Sequence, residues 1–146
     1  MRIDKISENN IYELAGLFIE LWPEGNLPEE LKNCQYILNS EKETCFLAVH
    51  EDVYVAFIYM NLRFDYEEGT STSPVAYVEG IFVKPQYRSQ GIGKKLMEIG
   101  TAWGLEKGCS ELASDTEWNN ENSIKFHEKM GFRETNRIVN FARKIF

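Results

Sequence analysis

Apolar residues recur at Ile11, Leu14, Ala15, Phe18, Leu21 and Trp22, one face of a 3.6-residue period. Ser7 to Asn10 offer helix caps before this stripe and Pro23 stops it. A second helix is expected to begin at Pro28, a favoured first-turn residue, and to run through Leu31, Cys34, Ile37 and Leu38. The period then shortens. Thr44 to His50 and Val53 to Tyr66 read as a hairpin around Glu51-Asp52, with an unusually long second strand. After a polar loop, Glu67 to Pro74, comes Val75 to Val83, β-rich throughout, with Gly80 in its middle marking a bulge or a close backbone approach. A helix is expected from the following glycine turn to about Lys107, ended by Gly108, with Gly100 and Gly104 one turn apart where it presses close on a sheet. Glu111 to Asp115 is a short strand, Asn120 to Met130 a helix closed by Gly131, and Phe132 to Phe146 one or two final strands anchored by Ile138, Val139, Phe141 and Ile145. With Arg2 to Ile6 as a first strand, the order is β, α, α, β, β, β, α, β, α, β. That order describes a mixed α/β (α+β) layer fold.

A chain of 146 residues is expected to be one domain, 1–146, able to bury roughly two-thirds of its unfolded surface without staples. The apolar run Leu14 to Ile19 is too short for a secretory core or a membrane span, so the expected location is cytoplasmic. Cys34, Cys45 and Cys109 are odd in number and lack a Cys-x-x-Cys pairing, which suggests buried thiols, with no disulfide framework and no metal. The net charge of −7 argues against nucleic acid or an anionic membrane as partner and favours a cationic small molecule.

Candidate chemistry concentrates after the central strand. The chain turns at Lys84-Pro85-Gln86-Tyr87 and enters Arg88-Ser89-Gln90-Gly91-Ile92-Gly93-Lys94-Lys95. Successive amides in such a turn converge on an anion, and the helix N-terminus adds its dipole. Two better-known phosphate motifs fail. The mononucleotide loop needs glycine where Arg88 stands and Ser or Thr where Lys95 stands, and the dinucleotide pattern beginning at Gly91 needs a small residue at Leu96.

What fits is Arg-x-x-Gly-x-Gly, which resembles the coenzyme-binding turn of the GNAT superfamily of N-acetyltransferases. A second segment agrees in order and spacing: Asn120 to Phe132 is similar to the family's Asn-x-x-Ala-x-x-x-Tyr-x-x-x-Gly-Phe. Three shorter pieces resemble one branch, the aminoglycoside 6'-N-acetyltransferases: Ser73-Pro74-Val75 leading into Val78-Glu79-Gly80-Ile81, then Ala113-Ser114-Asp115, and Gly131-Phe132-Arg133-Glu134-Thr135. The resemblance implies a GNAT fold, a mixed central sheet with a bulged middle strand and helices on both faces. It implies acetyl-CoA as co-substrate, no metal, and direct attack of an amine on the thioester.

Site roles follow from the resemblance. Backbone N–H groups of Ile81, Phe82 and Val83 would bind the coenzyme, one of them polarising the thioester carbonyl. Arg88, Ser89, Gln90, Gly91, Ile92, Gly93 and Lys94 would hold the pyrophosphate, with Arg88 either adding charge or capping the turn. Asn120 would bond the pantetheine arm. An ammonium with a pKa of about 10.4 must lose a proton before it attacks. Asp115 is the expected acceptor or water-orienting group and Glu79 the cation binder, and the two roles can be exchanged. Trp22, Tyr66 and Asn136 complete the substrate contacts, with Trp22 as a core plug the competing reading.

His127 departs from the family's tyrosine. It is either an acid or hydrogen-bonding group at the departing sulfur or a packing residue, because a thiol of pKa about 8.5 leaves tolerably as thiolate. The implied activity is acetylation of the 6'-amino group of an aminoglycoside. The alternatives are a polyamine or protein amine as acceptor, or a module that binds acyl-CoA or an amine without turnover. Related enzymes are often homodimers and the apolar C-terminal strand could pair across an interface, which makes a homodimer the expected assembly.

Overall fold

The computed structural model describes residues 1–146, which divide into two compact units, Met1–Asp115 and Thr116–Phe146. The first holds strand β1 (Arg2–Lys5), helices α1 (Ile11–Leu21) and α2 (Leu27–Asn39), strands β2 (Glu43–His50), β3 (Val53–Arg63) and β4 (Val75–Val83), helix α3 (Ile92–Glu106) and strand β5 (Leu112–Ser114). The five strands form one sheet in the order β1-β2-β3-β4-β5. Neighbours are antiparallel except β4 and β5, which run parallel.

Local chemistry accounts for the elements. Buried Asn10 stands before α1, its side chain accepting from the Ser7 N–H (2.8 Å) and donating to the Lys5 carbonyl (3.0 Å), so the strand-to-helix turn is tied at both ends. Asn26 caps α2 by accepting from the Glu29 N–H, and Pro28 sits in its first turn. Glu51 and Asp52 both take positive φ (49° and 64°), the two-residue turn that matches strand twist.

Strand alternation places the helices on both faces of the sheet. Phe57 and Tyr59 of β3 meet Phe18 of α1, with ring centroids 4.9 and 5.8 Å apart. The intervening Ile58 and Met60 point the other way, against α3. Contact there requires glycine: a Cβ on Gly100 would lie 2.9 Å from the Met60 sulfur, and one on Gly104 2.8 Å from the Ala76 Cβ. The close approach expected from the Gly100–Gly104 spacing is present. Cys34, Cys45 and Cys109 are buried free thiols.

The second unit holds α4 (Glu121–Lys129), with Gly131 at φ 93° just beyond it. Phe132 to Phe146 form neither strand nor helix, which corrects the expected final strands. Their apolar residues are exposed, Phe141 at 92% and Ile145 at 84%. Apolar anchors alone do not make a strand, because the backbone must also find a neighbour to bond.

Candidate active site

The central irregularity is in β4. Tyr59 pairs with Gly80 and Met60 with Val78, so Glu79 is the extra residue of a bulge. On the other side β5 pairs with β4 only over Ala76 to Val78, and from Glu79 to Val83 no strand bonds that edge. The parallel pairing thus ends where the bulge begins. Ile81, Phe82 and Val83 lie on this stretch, paired with β3 on one edge and without a strand on the other.

Glycine at the bulge admits an aromatic ring. A Cβ on Gly80 would stand 2.7 Å from Cη2 of Trp22 and 2.8 Å from Cζ2, so the benzo edge of the indole lies close against the bulge backbone. Trp22 also packs edge-on against Phe18 (5.2 Å) and tilted against Phe57 (6.1 Å), yet stays partly exposed. The core-plug reading of Trp22 matches this packing, and its partly exposed part lies beside the bulge.

Glu79 and Asp115 are brought to the same place by one chain of contacts. The Arg63 guanidinium binds both oxygens of Glu79, Nη2 to Oε1 at 2.7 Å and Nε to Oε2 at 2.9 Å. Asn61 donates to Oε2 at 3.0 Å, leaving its own buried Oδ1 without a hydrogen-bond partner. The third Arg63 nitrogen, Nη1, reaches Glu67 at 3.2 Å. Its flat face covers the Tyr77 ring at 3.4 Å, and the Tyr77 hydroxyl donates to Asp115 Oδ2. Hydrogen bonding to Glu79 raises the Arg63 guanidinium above its ordinary value, against a smaller lowering by burial. Burial, and then the bond to Asp115, pushes the Tyr77 phenol well above its usual range.

Arg63, Asn61 and Tyr77 are site residues that the hydropathy pattern does not single out. Tyr77 stands two positions before Glu79, one strand period, which is a usable signal. Arg63 and Asn61 depend on the cross-strand register, which only the folded sheet fixes.

Tyr66 lies beyond the end of β3, which stops at Arg63 and not at Tyr66 as expected. It is 73% exposed in the 64–74 loop. That loop is held along its length. Glu111 accepts from the Ser71 N–H (2.9 Å), the Thr72 N–H (2.8 Å) and the Thr72 hydroxyl, and the Ser73 hydroxyl donates to the Phe64 carbonyl (2.9 Å). Those donors, the Thr72 hydroxyl first, hold the Glu111 carboxyl below its ordinary value.

After β4 the chain makes a single 3₁₀ turn, Pro85–Tyr87, and then the glycine turn. Ser89 and Gly91 both take positive φ (64° and 81°), flanking Gln90, and Gly91 precedes α3 with no side chain capping the helix. A Cβ on Gly91 would meet nothing within 4 Å. Open space over uncapped helix amides is the arrangement that takes a phosphate, so Ser89, Gln90, Gly91, Ile92, Gly93 and Lys94 fit the diphosphate of a nucleotide coenzyme. Arg88 turns its Nε to the Val83 carbonyl (2.7 Å), tying the turn to the end of β4. No group of three or more His, Cys, Asp or Glu side chains is placed to hold a metal ion.

In the second unit Asn120 caps α4, accepting from the Ser123 N–H at 3.1 Å. His127 Nδ1 lies 2.7 Å from the Ser123 carbonyl oxygen and therefore carries the proton. Phe126 and Phe132 flank it edge-on at 5.9 and 5.2 Å. Asn136 is exposed in the 132–146 segment.

Comparison with known proteins places this geometry. Residues 9–132 match the Acetyltransferase (GNAT) family, a match that runs through both units. The chain is 37% identical over 144 residues to an aminoglycoside N(6')-acetyltransferase type 1 of Salmonella enteritidis, covering 99% of each. Among solved structures it is similar to aminoglycoside N-acetyltransferase AAC(6')-Iy in complex with CoA, with a TM-score of 0.94 and 36% identity over 99% of this chain and 95% of that one. It is also similar to AAC(6')-Iy bound to a bisubstrate analogue joining CoA to monomethyl-acetylneamine, with a TM-score of 0.93 and 34% identity over 98% and 97% of the two chains.

Proposed function

Because the chain belongs to the acetyltransferase (GNAT) family, we propose that it transfers the acetyl group of acetyl-CoA to the 6'-amino group of aminoglycoside antibiotics and so confers resistance to them. One observation carries this reading: the β4 edge is left open at the bulge where Glu79 and Asp115 are gathered, one short turn before an uncapped helix that suits a diphosphate. Residues 1–146 act as one catalytic domain. The support is the family match, which crosses the boundary between the two compact units.

Acetyl-CoA supplies the acetyl group as a thioester, and the residues hold and steer the two reactants. Ser89 to Lys94 and Arg88 bind its phosphates, Asn120 the pantetheine arm, and the N–H groups of Ile81 to Val83 the carbonyl. Holding both reactants in register is worth about 7–11 kcal/mol in favourable geometry. Asp115, oriented by Tyr77, takes the ammonium proton directly or through water; Glu79, whose oxygens already receive three N–H donors, binds the cation. Trp22, Tyr66 and Asn136 contact the sugar rings. His127 either hydrogen-bonds near the sulfur or a water, or packs on the helix face, and is not a required acid. The net charge of −7 steers a polycation toward the site.

The protein acts in the cytoplasm, where acetyl-CoA is made; no helix is long and apolar enough to cross a membrane. It works as a homodimer, a reading supported by the exposed apolar residues of the 132–146 segment.

Thiol release from acetyl-CoA with kanamycin, spermidine or a lysine peptide tests the assignment. Release with kanamycin is expected, and mass spectrometry with NMR of the product should place the acetyl group on the 6'-nitrogen. Release with spermidine alone would transfer the assignment to polyamines. Asp115→Asn should lower kcat by about 10²–10⁴, the range for a lost general base, with acetyl-CoA affinity kept. Unchanged kcat would remove Asp115 from the mechanism.

A further inference from the structure

Glu79 lies in the β4 bulge and Glu67 in the loop that follows β3, and like charges do not gather without a cation between them. Arg63 is that cation. It is the last residue of β3, and its three nitrogens are all committed: Nε and Nη2 to Glu79, Nη1 to Glu67. The remaining face lies on the Tyr77 ring, whose hydroxyl holds Asp115. Arg63 is one-third exposed and the two glutamates 19% exposed, so the cluster opens to solvent on one side. Three of its five N–H donors are engaged by these two carboxylates, so the guanidinium charge is already balanced by acid.

We propose that Arg63 is a positioning and specificity residue. Its guanidinium fork fastens the 64–74 loop to the β4 bulge and assembles Glu67, Glu79 and Asp115 into one acidic patch for a polycationic amine. Resting on the acetyltransferase reading for the identity of that amine, the proposal adds the reason the patch exists before substrate arrives. Three carboxylates against one guanidinium leave an excess of two negative charges, matched to an acceptor that brings more than one ammonium. A planar fork is required. Lysine offers a point charge on a flexible stem and does not hold two carboxylates in fixed geometry. Of the loop's other ties, Glu111 holds Ser71 and Thr72, the Ser73 hydroxyl reaches the Phe64 carbonyl and Thr70 bonds the Glu67 carbonyl, whereas Arg63 ties the Glu67 side chain to the sheet.

The test uses the whole protein. Backbone hydrogen exchange over residues 64–74 is measured without substrate in the wild type, Arg63→Met, Arg63→Lys and Glu67→Gln, beside KM for kanamycin and for acetyl-CoA. In Arg63→Met and Arg63→Lys, the amides of residues 64–70 should exchange at least about tenfold faster and the kanamycin KM should rise by at least about tenfold, while the acetyl-CoA KM stays within about twofold. Glu67→Gln, which takes the charge from the Nη1 arm while keeping an acceptor oxygen and leaving the sheet intact, should show the same loop effect in weaker form and decides the matter if the Arg63 variants do not fold. Wild-type behaviour in Arg63→Lys overturns the fork, and faster exchange spread evenly over the sheet reduces Arg63 to packing. If the wild type does not acetylate kanamycin, the substrate assignment fails, while loop exchange still decides the role of Arg63.

Discussion

A Cβ at position 80 would fall 2.7 and 2.8 Å from two ring atoms of Trp22, and the indole is itself wedged against Phe18 and Phe57. The ring cannot rotate away as a flexible chain end would. Gly80→Ala therefore has to displace Trp22 or flatten the bulge, and overpacking of this kind costs about 1–3 kcal/mol. The expected result is a lower Tm together with a raised kanamycin KM, read by thermal unfolding and steady-state kinetics. A fall in Tm with unchanged KM would make Trp22 a core residue only.

Tyr77 gives a second residue-scale expectation. Tyr54, Tyr59 and Tyr77 all hold their protons above the ordinary phenol range, chiefly through burial and then through Asp4, Glu43 and Asp115 respectively. A raised folded-state value means that their stabilising contribution is complete below about pH 10, the unfolded phenol value, and is lost as pH climbs through the folded values. Absorbance titration of the folded protein should therefore miss part of the tyrosinate signal near pH 10, and unfolding in denaturant should restore all seven tyrosines. Tyr77→Phe should shrink the late-ionising part. If the folded and unfolded curves coincide, the Tyr77–Asp115 bond is absent in solution.

At the scale of elements, α3 packs on the sheet through glycines, and three Gly→Ala changes should separate by what each Cβ meets. At Gly16 in α1 it meets nothing within 4 Å, so the helix gains about 0.5–1 kcal/mol from the better former. At Gly100 it meets the Met60 sulfur and the end of Ile58, which can move. At Gly104 it meets the Cβ of Ala76 at 2.8 Å, an atom fixed to the β4 backbone, and pushing α3 off β4 outweighs the propensity gain. Denaturant unfolding should rank stability Gly16→Ala above Gly100→Ala above Gly104→Ala; the reverse order would mean that the helix–sheet contact is loose. This contact was legible in the sequence because a four-residue glycine spacing on a helix has one geometric meaning. The bulge was legible for the same reason, Gly80 being the one glycine in a β-rich run. Arg63 was not, since its partner Glu79 lies 16 residues away across a register that the bulge itself shifts. The end of β3 was likewise hidden: Phe64 and Tyr66 carry strand propensity, but no strand pairs beyond Arg63.

Over the whole molecule the one large departure from the sequence reading is the 132–146 segment. Its apolar residues predict strands, yet Ile138, Val139, Phe141 and Ile145 stand 69–92% exposed in a chain whose other large apolar side chains mostly fill a core. Propensity specifies that a strand wants a neighbour and leaves open which chain supplies it. The homodimer reading gives that neighbour as a second copy, because exposed apolar residues concentrated in one segment mark an interaction surface, and exchange of identical segments between protomers is a low-cost way to cover it. Sedimentation equilibrium should then give about twice the 17.0 kDa chain mass at micromolar concentration. The double variant Val139→Asp with Phe141→Asp should sediment as a monomer, since two buried carboxylates without partners are costly enough to break such pairing. Kanamycin turnover by that monomer would show that each chain is complete by itself, and loss of turnover with acetyl-CoA binding retained would show that the covered segment supports the substrate side. A wild type that stays monomeric at every concentration would end the dimer assignment.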